Sequence, residues 1–397
     1  MVFSISCTKP EPDVDKYQDK EFEPVYLTKS EQEIGQASNQ FGFDVYHKIY
    51  EGKDILISPL SLSLALSMAA NGAEGTTAEE MLSTLGFAGK EKADMNNYYR
   101  KMVTALLEAD PKTTFEVANS IWADEKIGVK KSFTDVTKEF FASEVYPADF
   151  KTQATVNAIN NWCSEKTHGK IPTIMSEPDP YLVMALINAL YFKGEWSFEF
   201  NDKTKKEDFT DLNGTKAKVD MMSAEEKLLY AGKDGYAMVR LPYGNGAFSM
   251  DVILPPKGKD FGDAVKTFNA GTLSDLTYGL SNAIVNLKLP KFTFEYSTSL
   301  VSTLQALGMK QAFTPTADFS AMAEKSLMIS TVLQKTFIDV NEKGTEAAAV
   351  TFIGMVATSV GPAPEPRRVD FFADRPFLFM IRENSTGAIL FIGQKVK

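Results

Sequence analysis

The stretch that decides the fold lies near the C-terminus and reads Glu342-Lys343-Gly344-Thr345-Glu346-Ala347-Ala348-Ala349-Val350-Thr351. Small side chains dominate it after Gly344. Glycine lacks a Cβ and can adopt almost any φ, so Gly344 is predicted to be a hinge on which the flanking chain swings. Small residues after a hinge would fit a crowded sheet, and we interpret the run as a strand that can be inserted.

The alternation of side chains along a strand supports this interpretation. One face of the run would hold only uncharged residues and no proline, namely Thr345, Ala347, Ala349, Thr351, Ile353 and Met355. The opposite face would hold Glu346, Ala348, Val350 and Phe352. The uncharged face could enter a core without burying an unpaired charged group.

The same residues could also begin a helix, because the run 345–349 favours helix by intrinsic propensity. Composition alone does not separate the two structures. The chain continues into Thr358-Ser359-Val360-Gly361-Pro362-Ala363-Pro364-Glu365-Pro366, where prolines oppose helix and favour extended chain. This context indicates a segment that can be loop, helix or strand.

Further stretches between about Glu31 and Lys397 carry a family resemblance. In chain order they are Ile57-Ser58-Pro59-Leu60-Ser61, Ala118-Asn119-Ser120-Ile121-Trp122, Ile159-Asn160-Asn161-Trp162, Thr167-His168-Gly169-Lys170-Ile171, Asn188-Ala189-Leu190-Tyr191-Phe192-Lys193-Gly194-Glu195-Trp196, Leu289-Pro290-Lys291-Phe292, Leu307-Gly308-Met309 and Phe372-Ala373-Asp374-Arg375-Pro376-Phe377-Leu378-Phe379. With the hinge run, this ordered set resembles the serpins, a family of serine protease inhibitors, and in particular inhibitory serpins such as those of bacteria.

The resemblance implies an α+β multi-layer fold, with about nine helices around three β-sheets and an exposed reactive-centre loop at about 342–366. No interior linker divides the chain, so residues 29–397 are expected to form one serpin domain. Local patterns agree with an α/β mixture. A helix is predicted to open at Ser58-Pro59 and to end at Gly72, and a buried hairpin is predicted around 384–387.

The resemblance also implies a mechanism. Counting Glu342 as the first residue, the family's spacing places the reactive bond after the seventeenth, between Thr358 and Ser359. A serine or cysteine protease would attack the Thr358 carbonyl and form an acyl-enzyme. The cleaved loop would then enter the main sheet with the protease attached. The residues before the bond, Met355, Val356 and Ala357, suit elastase-like or subtilisin-like proteases.

Two groups of residues are implied to control opening of the sheet. Ser58, Ser61 and Asn188 match a polar cluster beneath its centre, where Gln334 stands in place of the family's usual histidine. Because glutamine does not titrate, sheet opening is expected to lack the pH dependence of that histidine. At the top of the sheet, Glu342 is expected to pair with Lys291 beside Trp196. Alternatively, this pair is solvent-exposed and contributes ~0 to 1 kcal/mol.

The sequence offers few candidate catalytic residues. His47 and His168 are the only histidines, without metal-ligand spacing, and the chain has no Gly-x-Ser-x-Gly motif. We therefore expect no enzyme activity, no metal and no cofactor. A net charge of -10 disfavours nucleic acid as a partner. The family resemblance implies a monomer that binds its target protease covalently. The alternatives are a non-inhibitory serpin with a binding or structural role, and a hydrolase on an unrelated fold.

The two cysteines differ in their surroundings. Cys163 is expected to be an inert packed thiol in an amphipathic helix. Cys7 follows an apolar, small-residue run and resembles the acylated cysteine of a bacterial lipoprotein, so residues 1–28 are interpreted as a truncated leader and flexible tether. The alternative is an ordinary trimmed N-terminus. The lipoprotein resemblance implies an extracytoplasmic protein that is secreted, periplasmic or lipid-anchored at the outer surface. No apolar run of 18 residues follows, so no membrane span is expected.

Overall fold

The computed structural model describes residues 21–200, 204–345 and 367–397. Its α-helices are α1 (Lys29–Ile49), α2 (Pro59–Asn71), α3 (Gly75–Thr84), α4 (Lys92–Glu108), α5 (Lys131–Phe141), α6 (Gln153–Lys166), α7 (Phe261–Thr267), α8 (Ala270–Tyr278) and α9 (Val301–Ala306). Its strands are β1 (Ile55–Ile57), β2 (Thr113–Asp124), β3 (Glu144–Ala148), β4 (Met184–Glu195), β5 (Lys205–Thr210), β6 (Lys216–Lys233), β7 (Tyr236–Tyr243), β8 (Phe248–Leu254), β9 (Ser281–Pro290), β10 (Phe292–Ser299), β11 (Thr331–Asn341), β12 (Gly344–Thr345), β13 (Arg367–Phe372), β14 (Phe377–Glu383) and β15 (Ile389–Lys395).

Helix α2 forms where the sequence predicted it. The Ser58 hydroxyl accepts a hydrogen bond from the Ser61 backbone N–H, and Pro59 occupies the first helical position, which suits its fixed φ. The helix is buried all round from Pro59 to Ala70, as expected for a central core helix. It ends at Gly72, where a Cβ would lie only 2.5 Å from the Cβ of Met322.

The larger sheet has nine strands in the order β1-β15-β14-β8-β7-β6-β9-β13, with β5 also paired to β6. The long strand β6 pairs with β5 and β9 along most of its length and with β7 at its end. Two of the three expected sheets are therefore continuous through β6. The predicted C-terminal hairpin is confirmed, because β14 and β15 pair in antiparallel fashion and both are buried.

The smaller sheet has six strands in the order β10-β11-β12-β4-β2-β3. Its centre is unusual, because β4 and β11 pair directly and in parallel at one end but are separated by β12 at the other. Alternate residues of β4 contribute to two apolar clusters. Leu186 and Leu190 join the main core, which unites both sheets with α1 and α2, whereas Ile187 and Ala189 pack beneath α6. This sheet is therefore covered on both faces.

Candidate functional site

The first residues of the hinge run already form part of the smaller sheet. Strand β12 consists of Gly344 and Thr345 and is antiparallel to both of its neighbours. Thr345 is paired with Val340 of β11 and with Gly194 of β4. The hinge therefore enters the sheet between these two strands, and the strand interpretation holds for the two residues of β12.

Gly344 has a packing role in this position besides the predicted role as a hinge, which stays a prediction. It lies within β12 with a φ of +151°, a value that L-residues rarely adopt. A Cβ at this residue would lie 2.1 Å from the backbone oxygen of Gly194 and 2.8 Å from the Cα of Glu195. The glycine is thus required for close backbone approach to β4, and in this state it is packed in the sheet.

Thr345 is held from beneath by an aromatic pair. Its side chain is buried, and its hydroxyl lies 2.7 Å from the hydroxyl of Tyr243 on β7. Trp196 stacks on Tyr243 with ring centroids 4.4 Å apart and an interplanar angle of 12°. The Trp196 indole N–H also donates to the Asn341 carbonyl, and its backbone N–H donates to that of Lys343. Trp196 therefore contacts the chain on the approach to the hinge.

The expected contact between Glu342 and Lys291 is present. Lys291 Nζ lies 2.9 Å from Glu342 Oε2, and the Thr204 hydroxyl donates to the other carboxylate oxygen. Burial raises the pKa of Glu342, but the hydrogen bonds from Thr204 and Lys291, a backbone hydrogen bond and the positive charge of Lys291 together hold the pKa below its ordinary value. The side chains of Lys291 and Glu342 are 43% and 30% exposed, so the pair contributes at most about 1 kcal/mol.

The predicted polar cluster lies beneath the directly paired part of β4 and β11. Gln334 Nε2 donates to Asn188 Oδ1 at 2.7 Å and to the Ser58 carbonyl at 3.1 Å, and Gln334 Oε1 accepts from the Ser58 backbone N–H at 3.0 Å. Asn188 Nδ2 donates to Ser61 Oγ and to Asn119 Oδ1. All these residues are buried. Since Gln334 and Asn188 are register partners on β11 and β4, the cluster joins these two strands.

The two strands part just above this cluster. Direct pairing runs from Thr331 and Ala185 up to Thr336 and Leu190. Four residues further on, Val340 and Gly194 are separated by Thr345. Strands β4 and β11 therefore diverge by about one strand spacing, ~4.8 Å, over a length of about 13 Å.

Several predicted site residues lie outside the described part of the chain. They are the reactive-bond residues Thr358 and Ser359, the specificity residues Met355, Val356 and Ala357, the hinge residues Glu346, Ala347, Ala348, Ala349, Val350 and Thr351, and Cys7 with its predicted lipidation. Their roles stay predictions.

The residues that could have indicated other chemistry are occupied in packing. His47 Nε2 contacts the Phe268 carbonyl at 2.9 Å, and His168 contacts Glu116. Within residues 21–200, 204–345 and 367–397, no group of three or more acidic, histidine or cysteine residues could hold a metal ion. Cys163 is buried, and burial raises the pKa of its thiol to about 12, as expected for an inert thiol. No helix in the described part of the chain is long and apolar enough to span a membrane.

Sequence reasoning missed three residues that belong to this site. Tyr243 supports Thr345, Thr204 donates to Glu342, and Asn119 extends the polar cluster to β2. Asn119 falls within a quoted family stretch, so its position was available as a signal. Tyr243 and Thr204 lie on the other sheet or close to its strand β5, and nothing local in the sequence connects them to the hinge.

Comparison with known proteins gives a consistent result. A family model described as serpin (serine protease inhibitor) matches residues 36–397. Iripin-2 from Ixodes ricinus is 34% identical over 376 residues, which cover 92% of this chain and 94% of that protein. Intracellular coagulation inhibitor 2 from Tachypleus tridentatus is 34% identical over 375 residues, covering 92% and 91% of the two chains.

A solved structure agrees along nearly the whole length. The native state of the thermophilic serpin Tengpin superposes with a TM-score of 0.84 at 32% identity, covering 97% of this chain and 98% of that one. The fold predicted from the resemblance is confirmed.

Proposed function

The chain belongs to the serpin family, and we propose that it is an inhibitory member that traps proteases by inserting its cleaved loop between β4 and β11. The observation that carries this proposal is the position of β12, because Thr345 already occupies the place where such a strand would start. Because β12 already lies between the diverging strands β4 and β11, it can be extended one residue at a time without a new nucleation step.

The register of β12 predicts where the rest of the loop would go. Continued downward, it sets residue 351 between Gln334 and Asn188 and residue 354 between Thr331 and Ala185. The side chains at 345, 347, 349 and 351 would share the face of Val340 and Gln334, which is the core face. This is the uncharged face of the hinge run, so the polarity of the run suits the register.

Energy favours insertion once the loop is free at one end. Nine more inserted residues, each with backbone groups paired to a neighbour, would form about eighteen ladder hydrogen bonds and break about six between β4 and β11. At a net ~1 kcal/mol each, the gain is on the order of 10 kcal/mol before apolar burial. This is comparable to the whole stability of a typical protein, about 5 to 15 kcal/mol. The uncut fold is then a kinetic trap.

The reactive bond in this proposal is Thr358–Ser359. A protease that forms an acyl-enzyme with Thr358 stays attached while the loop enters the sheet, and the pull distorts its active site before water releases it. The small apolar residues Met355, Val356 and Ala357 suit the pockets of elastase-like or subtilisin-like enzymes. The chain itself would be consumed in this process and would not act as a catalyst.

The second candidate function is a serpin that binds or supports other molecules without inhibition. The features that would favour it are bulky, charged or proline residues in the hinge. Within residues 345–351 only Glu346 is charged, and no proline occurs. The hinge composition therefore favours inhibition, as does the inhibitor function in the name of the Tachypleus tridentatus relative.

Location and anchoring belong to the same proposal. We infer an extracytoplasmic protein, with Cys7 as the site of a lipid anchor, from the resemblance of residues 1–28 to a lipoprotein leader. Metabolic labelling with a fatty-acid analogue, compared between the wild type and Cys7→Ser, tests this inference. Label that persists in the variant would exclude Cys7 as the acylated residue.

The inhibitory function is tested by incubation with pancreatic elastase and with subtilisin. We expect a complex of the two chains that survives SDS and maps to Thr358 by mass spectrometry. Trypsin should give no such complex at this bond, because no arginine or lysine precedes it. Rapid cleavage with full recovery of elastase and subtilisin activity would identify a substrate and would reject the inhibitory proposal.

A further inference from the structure

A cleft of about 420 Å³ lies where three connections of the larger sheet meet the residue that follows α1. The connections are the turn between β5 and β6, the loop between β8 and α7, and the residues just before β14. The volume falls within the range of small-molecule sites in proteins. None of the lining residues belongs to the hinge run, to the polar cluster or to the pair of Glu342 and Lys291.

Much of the wall is apolar and rigid. Pro255, Pro256 and Pro376 line the cleft, and the ring of each proline fixes its own φ. Phe261 is buried at the start of α7, and Leu212 is an exposed apolar side chain in the turn between β5 and β6. A wall that is already formed loses little conformational freedom when an apolar group packs against it.

Arg375 brings a positive charge to this wall. Its Nη2 donates to the Pro255 carbonyl at 2.8 Å, and its remaining N–H groups have no hydrogen-bond partner among the residues that the structure describes. The side chain is partly buried. Burial lowers the pKa of the guanidinium, the nearby Asp374 carboxylate opposes this, and the group stays charged at neutral pH. A partly desolvated guanidinium with free N–H groups forms strong hydrogen bonds with an anion.

The other charged groups at the cleft already have partners. Lys259 Nζ donates to Thr267 Oγ1 at 2.9 Å. Asp211 Oδ1 accepts two backbone N–H groups of its own turn, each at 2.8 Å, and Asp260 Oδ1 accepts one from α7 at 3.0 Å. Backbone donors stabilise the negative charge of these two carboxylates. Arg375 is therefore the group that a ligand of opposite charge would contact.

We propose that this cleft binds a small organic acid, with its carboxylate on Arg375 and its apolar body against Leu212, Phe261 and the three prolines. One guanidinium matches the single charge of a carboxylate, whereas a phosphate monoester carries nearly two charges. A peptide is a poorer fit, because proline offers no backbone N–H and none of the lining residues lies in a strand. The chain would thus have a ligand-binding function besides the proposed inhibition.

The test uses 4-phenylbutyrate as the probe and 4-phenylbutyramide as its neutral match. Each is titrated into the isotope-labelled, uncut full-length protein, and backbone amide shifts are followed by TROSY spectroscopy. We expect the acid to bind with a Kd on the order of 1 mM or lower and the amide to bind at least about tenfold more weakly. The largest shifts should fall on the amides of Leu212, Gly258 and Gly262, which line the cleft.

Arg375→Gln removes the charge and keeps a hydrogen-bonding side chain. It should bind the acid at least about tenfold more weakly and should bind the amide as the wild type does. Arg368→Gln removes an exposed arginine of β13 that does not line the cleft, and this matched control should bind the acid normally.

A second pair of variants tests the same charge effect at an exposed position, where folding is not at risk. Leu212→Asp and Leu212→Asn introduce side chains of nearly equal shape that differ in charge. The acid should bind Leu212→Asp about three- to tenfold more weakly than Leu212→Asn, because like charges repel, and the amide should bind both variants alike.

Three results would overturn the proposal: equal binding of the acid and the amide, unchanged acid binding by Arg375→Gln, or shifts confined to residues outside the cleft. None of them bears on the proposed inhibition, because the cleft shares no residue with the hinge run or the polar cluster. Conversely, a failure to form a stable complex with elastase or subtilisin would leave the acid-binding results unchanged.

Discussion

Strands β4 and β11 are held together in two different ways within one molecule. At their upper ends they are separated by β12, and Thr345 is fixed to Tyr243 below the sheet. At their lower ends they pair directly, and a buried hydrogen bond joins Gln334 to Asn188. The same two strands therefore display both an open and a closed arrangement, and the proposed insertion would extend an existing opening.

The largest expected effect comes from cutting the loop. The inserted strand should then separate the lower ends of β4 and β11 as β12 already separates their upper ends. Cleavage at Thr358–Ser359 should stabilise the chain by on the order of 10 kcal/mol and raise its melting temperature by more than about 10 °C. Calorimetry of the cut and uncut proteins measures the change. Equal melting temperatures would show that cleavage does not separate the lower ends of β4 and β11.

The next largest effect, a loss of inhibition, is expected from blocking the position of β12 between the upper ends of β4 and β11. Thr345→Arg would place a guanidinium in a buried position between Val340 and Gly194, at a cost of several kcal/mol if it remains unpaired. We expect the stoichiometry of inhibition against elastase to rise at least about tenfold, with the chain released as cleaved substrate.

Lys343→Arg is the matched control, because Lys343 is exposed and lies directly before the hinge glycine. It should inhibit as the wild type does. Full inhibition by Thr345→Arg would mean that the loop does not enter through the position of β12.

A smaller effect is expected from weakening the polar cluster beneath the directly paired ends of β4 and β11. Gln334→Ala leaves Asn188 Oδ1 and the backbone N–H of Ser58 without a hydrogen-bond partner in a buried site. We expect the uncut protein to lose about 2 to 4 kcal/mol of stability and to lose inhibitory activity faster on storage.

Gln153→Ala makes the same chemical change at an exposed position and should alter neither quantity. Melting temperature and active fraction over time provide the measurements. Unchanged stability in Gln334→Ala would show that the polar cluster does not hold the lower halves of β4 and β11 together.

The smallest effect concerns the ion pair above β12. Because the pKa of Glu342 is lower in the folded state than its ordinary value, its stabilising contribution is present above the unfolded pKa and is lost as pH falls through the folded one. Between about pH 5 and pH 3, the wild type should lose up to about 1 kcal/mol more stability than Glu342→Gln. Urea unfolding across this range measures the difference, and parallel curves would contradict it.

The sequence predicted the parts of this arrangement that depend on local pattern. Helix α2 follows from Ser58-Pro59 and Gly72, and the β14–β15 hairpin follows from two apolar runs around a turn. The family resemblance brought Gln334 and Asn188 together, because Asn188 belongs to a matched stretch and Gln334 stands at the position of the family's usual histidine. It also placed Glu342 near Lys291, which the structure contains as a contact at 2.9 Å.

The remaining features depend on register and on contacts between sheets. Gly344 was predicted as a free joint, but its packing against Gly194 arises only when β12 lies between two strands. Tyr243 lies about a hundred residues from Thr345 in the chain, and its hydroxyl is aimed at the hinge by the stacking of one sheet on the other. No short pattern encodes such a distance.

The mixed direction of the central strands has a consequence for selectivity among foreign peptides. Strands β4 and β11 point the same way, and β12 points the opposite way. A chain that follows β12 gains two antiparallel neighbours, whereas a chain threaded in reverse would gain two parallel ones, which pair slightly less well per residue. The space between β4 and β11 would therefore favour a peptide that runs in the same N-to-C direction as β12, whatever its side chains.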